Sequence, residues 1–128
     1  MSLAIAHFAV GLLCTALLLA AVAPRLVRSP TLLAFGGLWG MLPDAYWVSP
    51  VGLEFIHSVH VSPWANLFWF HGYLDRIDPA DTNTFAAEML ALLVVSLPLI
   101  ELFVRWRLGE FGSRSGLMEV PESKRRSD

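Results

Sequence analysis

Residues 3–23 read LAIAHFAVGLLCTALLLAAVA, a run with no charged side chain and a single histidine, His7. About 20 apolar residues in a helix cross the roughly 30 Å hydrocarbon layer of a bilayer. This stretch therefore predicts a membrane span, and with it the class of fold. A cleaved signal peptide is the rival reading, because Ala21-Val22-Ala23 has the small-x-small form of a cleavage site. Against it, no Lys or Arg precedes the run, the run exceeds the usual length of about 7 to 15 residues, and Pro24 would follow the cut.

The rest of the chain agrees. Of its 128 residues, 55% are hydrophobic and 16% charged, and mean hydropathy is +0.57, whereas soluble domains carry about 25% charge. One domain is the most that this length allows. A net charge of −2 supplies no basic surface, so nucleic acid is not an expected partner. Cys14 is alone, which excludes an internal disulfide and a zinc cage built from cysteines. Phosphate-cradling glycine motifs and G-x-S-x-G are absent.

Two further stretches suit the bilayer. Residues 31–48 are apolar except for Asp44, with Gly36, Gly37 and Gly40 forming a small-residue face that another helix backbone could approach. Residues 85–104 hold Glu88 and Glu101, with Pro98 as a kink. Asp78-Pro79 with Asp81 reads as the cap and first turn of that third helix. The expected fold is an all-α integral membrane protein with three transmembrane helices over about 3–23, 31–48 and 85–104. Residues 1–108 form its membrane domain, and 109–128 a disordered cytoplasmic tail. Arg25, Arg28, Arg105 and Arg107 adjoin the ends of spans on one side, against Arg76 in the long connection. Positive-inside bias then places the amino terminus and the long connection outside, and the carboxyl terminus in the cytoplasm, of a multi-pass cell-membrane protein.

That connection is too apolar to be simply solvated. Residues 51–75, interrupted by Pro63, predict two short interfacial helices, with a re-entrant hairpin as the alternative.

Alternation of spans puts His7, Asp44 and Glu88 at a common depth, each about 6 Å below one surface. Charges within spans usually face a partner or a wet cavity. The connection adds His57 and His60 at i, i+3 and His71 and Asp75 at i, i+4, spacings that share a helix face and let two side chains meet one cation. All four histidines thus lie on one side of the membrane. A nitrogen and oxygen ligand set without thiolate suits Zn, Mn or Fe, as one ion or two. The metal ligands expected are His7, Asp44, His57, His60, His71 and Asp75, with Asp44 or Glu88 as general base. Hydrolysis of a phosphoester or amide at the bilayer surface is the chemistry such a site supports. A serine triad through Ser58 or Ser62 lacks a nucleophile elbow. Glu101 is expected to snorkel to the lipid interface or to pair with Arg105 at i+4 rather than to take part in chemistry.

Ala6-His7-Phe8-Ala9-Val10-Gly11, Gly40-Met41-Leu42-Pro43-Asp44 and His57-Ser58 resemble the YdjM-like family of membrane-bound, metal-dependent hydrolases. His71-Gly72-Tyr73-Leu74-Asp75 is similar to the H-x-x-x-D metal pair of the all-helical zinc-dependent phospholipase C and single-strand nuclease group. The resemblance covers about 40 residues in pieces between positions 5 and 75. It implies His7, Asp44, His57, His71 and Asp75 as ligands, zinc as the ion and, in so short a chain, a homo-oligomer as one way to complete the site. The family's basic-glycine stretch is replaced here by Glu54-Phe55-Ile56. Two other readings remain open: a non-enzymatic membrane protein whose cluster binds metal or protons, and a helical scaffold.

Overall fold

The structure, a computed structural model, describes residues 2–47 and 51–111; the distal tail and Val48, at the end of the second predicted span, lie outside the described residues. No strand occurs among the described residues. The helices are α1 (Ser2–Val22), α2 (Pro30–Met41), α3 (Leu53–His60), α4 (His71–Ile77) and α5 (Asn83–Arg107), joined by 3-10 turns at Pro24–Arg28, Leu42–Trp47 and Pro63–Leu67.

α1 and α5 are the two helices long and apolar enough to cross a membrane. A soluble core helix passes the same test, but it is mostly covered by its own protein. Here only 33% of the apolar window of α1 and 17% of that of α5 is buried. Val94, Val95 and Leu99 of α5 are each at least 60% exposed. Apolar surface on this scale needs a cover other than water.

α1 is the centre of the molecule, with α2 on one side and α5 on another. Small residues allow the approach. A Cβ on Gly11 would stand 2.6 Å from the Gly36 carbonyl oxygen, and one on Gly40 would stand 2.7 Å from the carbonyl oxygen of His7. The glycine face of α2 is therefore covered within the chain by α1. Toward the other end, Ala16, Ala20, Val27, Ile100 and Val104 form the buried core.

The second predicted span is not a single α-helix. α2 starts on Pro30, which needs no hydrogen-bond partner for its nitrogen, and stops after 12 residues. Leu42 N–H turns back to Trp39, Pro43 has no N–H to offer, and the chain tightens into a 3-10 turn carrying Asp44. The connection also differs from two helices meeting at Pro63. Pro63 opens a 3-10 turn capped by Ser62, and the next helix begins only at His71. Trp39 fastens this turn to α2, its indole donating to the Leu67 carbonyl at 3.3 Å.

α5 begins two residues earlier than expected, and its cap is Thr82, whose hydroxyl accepts from Phe85 N–H. Asp78 is not the cap: its buried carboxylate accepts from both the N–H and the hydroxyl of Thr82, at 2.7 and 2.9 Å. At the far end Gly109, with φ of 70°, closes the helix, as Gly109 N–H bonds Trp106 O and Glu110 N–H bonds Arg105 O.

Candidate metal centre

Four helical segments deliver five side chains to one place. α1 supplies His7, the 3-10 turn after α2 supplies Asp44, α3 supplies His60, and α4 supplies His71 and Asp75. Just before His71 the chain turns through Trp69 and Phe70, with φ of 52° and 63°. Left-handed backbone at a bulky residue costs roughly 1–3 kcal/mol and persists where its surroundings enforce it. Here it aims the first turn of α4 so that His71 stacks on His7, with ring centroids 3.8 Å apart.

Each ring, when neutral, takes the tautomer that its partner sets. His71 Nδ1 lies 3.1 Å from the Gly40 carbonyl oxygen, which can only accept, so Nδ1 donates and Nε2 presents a lone pair. That Nε2 is 3.4 Å from Asp44 Oδ1, 3.5 Å from Asp75 Oδ2 and 3.1 Å from His60 Nδ1. His7 Nδ1 donates to Asp44 Oδ2 at 3.0 Å, which turns His7 Nε2 toward Asp75 Oδ1 at 3.3 Å. His7 Nε2 and Asp75 Oδ1 are both buried without a hydrogen-bond partner.

With both rings neutral the centre brings lone pair against lone pair, an arrangement that a cation would reconcile. Ligand atoms held about 2.0–2.1 Å from a tetrahedral ion stand roughly 3.3–3.4 Å apart, close to the separations around His71 Nε2. Carboxylate or carbonyl behind each imidazole is the usual way a metal-binding histidine is oriented; Asp44 serves His7 so, and Gly40 serves His71. Burial pushes the His60 imidazole below its ordinary pKa, favouring the unprotonated ring that ligation needs. The side chains of His7 and His71 are fully covered, while Asp44, His60 and Asp75 retain 15%, 18% and 26% exposure. Buried imidazoles make the floor, and partly open carboxylates the mouth.

Two predicted residues stand elsewhere. Glu88 is exposed on α5, outside both groups of side chains close enough to share an ion. Its depth matches, but it follows the buried Ala86 by two positions, which is 200° of helix rotation and thus the opposite face. His57 is exposed, its ring centroid 6.5 Å from that of His60, and it is His60 that approaches Asp44 and Asp75, each at 3.8 Å. The hydroxyls of Ser58 and Ser62 donate to the local carbonyls of Phe55 and Val59, which disfavours either as a nucleophile. The Gly40 carbonyl was not legible in the sequence, because any residue carries one.

No known family, curated protein or solved structure matches this chain.

Proposed function

We propose that the chain is a membrane-embedded, metal-dependent hydrolase acting on a phosphoester or lipid at the outer bilayer face. The observation that carries the reading is the convergence of an imidazole nitrogen of His60 and carboxylate oxygens of Asp44 and Asp75 around the buried His71 Nε2, at 3.1–3.5 Å. His7, Asp44, His60, His71 and Asp75 would hold the ion, zinc by the donor set and by the resemblance to the YdjM-like family. A divalent cation there supplies Lewis acidity and makes water a competent nucleophile near neutral pH. The residues do the remainder: Asp44 and the Gly40 carbonyl fix the rings, and the Gly11–Gly40 contact fixes α1 against α2.

Three crossings fit this reading. α2 contributes about 18 Å and the following 3-10 turn about 12 Å, together near the hydrocarbon thickness. Arg28, Arg105 and Arg107 gather at the end of the bundle away from the centre. Positive-inside bias puts that end in the cytoplasm and the centre outside, where exposed Phe55, Trp64 and Phe70 would sit in the interface.

A second reading, cation or proton binding without turnover, is favoured by one feature. A protonated His7 between Asp44 and Asp75 would also satisfy its contacts. Protein purified in detergent is expected to carry divalent metal, to lose it in His71→Ala, and to hydrolyse a chromogenic phosphodiester only when wild type. Metal without hydrolysis supports the second reading; wild-type protein that retains no metal refutes the hydrolase.

A further inference from the structure

We infer that a cleft between α1 and α2 holds one acyl chain of a bilayer phospholipid, as a resident lipid and not as a substrate. This rests on the chain lying in a bilayer and is independent of the metal centre, with which the cleft shares no residue. The cleft has a volume of about 220 Å³ and almost nothing polar faces it. Leu19 of α1 and Leu32 and Phe35 of α2 wall it, and Trp39 and Trp69 stand at the end nearer the connection. Gly36 carries no side chain, and Thr15 lies directly against it with its hydroxyl buried. Leu32 and Trp39 are seven residues apart, about 10 Å of helix, so the cleft is elongated along α2, the direction in which a lipid chain runs. Its aromatic wall is in place without an occupant: the Trp39 indole donates to the Leu67 carbonyl at 3.3 Å, and its ring lies against Phe35 and Phe68, with centroids 6.4 and 4.9 Å away.

The dimensions and chemistry of the cleft select among occupants. Water does not fill a space so apolar, and an empty one forfeits the dispersion contacts of its walls. Residues 112–128 follow Phe111 and leave from the end of the bundle where Arg28 holds Glu110, away from Trp69. Their Arg114, Glu119, Glu122, Lys124, Arg125 and Arg126 suit neither an apolar wall nor hydrocarbon depth. A helix of a second copy, about 10–12 Å across with its side chains, is too wide to enter. Ligands with several rings take pockets of roughly 300–1,000 Å³, more than this one offers. A single alkyl chain is slim, uncharged and supplied by the bilayer itself.

The test is photolabelling of the full chain in phosphatidylcholine vesicles doped with phosphatidylcholine that carries a diazirine midway along one acyl chain, with adducts mapped by mass spectrometry. Val94, Val95 and Leu99 of α5, each at least 60% exposed, report the labelling given by lipid that merely solvates the protein. Wild type should carry adducts on Leu19, Leu32 and Phe35 several-fold above that level, and Leu32→Trp, which fills the cleft, should lose the excess while α5 labelling holds. Cleft labelling no higher than that of α5 overturns the inference, as does an excess that persists in Leu32→Trp. A wild-type dimer whose cleft stays unlabelled gives the cleft to a second copy and overturns it too. If Leu32→Trp does not fold, the wild-type ratio still decides, and none of these outcomes bears on metal content or hydrolysis.

Discussion

His7 and Ala20 stand about 20 Å apart along α1, and charged groups gather at both places in opposite ways. Around Ala20 donors meet acceptors. Arg28 grips both oxygens of Glu110 at 2.8 and 2.7 Å, Glu101 accepts from Arg28 and Arg105, and Arg107 donates to the Ala20 and Ala21 carbonyls that the end of α1 leaves unpaired. These arginine and glutamate side chains at Arg28, Glu101, Arg105 and Glu110 are 35–53% exposed. Around His7 the rings are covered, and His7 Nε2 and Asp75 Oδ1 are buried without a hydrogen-bond partner. One end of the bundle is completed by its own residues. The other, on the reading proposed above, would be completed by a cation.

Metal removal tests the contrast hardest. Because a cation would bind the folded chain and not the unfolded one, occupancy at 100 times its dissociation constant stabilises by about 2.7 kcal/mol. Thermal unfolding in detergent should therefore shift down on chelation and recover on adding Zn²⁺; an unchanged transition would put the two ends on the same footing. Gly40→Ala comes next. Its Cβ would meet the His7 backbone oxygen at 2.7 Å, which α1 cannot yield without moving. The expected loss is about 1–3 kcal/mol together with reduced metal content, read by unfolding and metal analysis, and a variant of unchanged stability would refute the close approach. The smallest effect belongs to Arg28→Ala. Exposed ion pairs contribute little and are screened by salt, so metal content should hold while a slight fall in unfolding temperature fades in high salt. Metal loss in this variant would show the ends to be coupled.

How much of this was visible beforehand varies residue by residue. The apolar runs of α1 and α5 identify themselves, because length and hydropathy are properties of a continuous segment. The pairing of Glu101 with Arg105 and of His71 with Asp75 follows from helical spacing alone. Depth along alternating spans brings His7 to Asp44 but errs for Glu88, since depth says nothing about rotation around the axis. His57 and His60 share a helix, and only its docking decides that His60 turns inward.

The sequence by itself determined that this chain is helical and carries apolar runs long enough to cross a bilayer, because composition and periodicity act locally. Only the tertiary structure decided which imidazoles face which carboxylates. The glycine contact between α1 and α2, the Pro43 turn and the left-handed Trp69-Phe70 pair set angles that no local pattern encodes. At hydrogen-bonding range, those angles separate a cluster that could hold a cation from scattered polar residues.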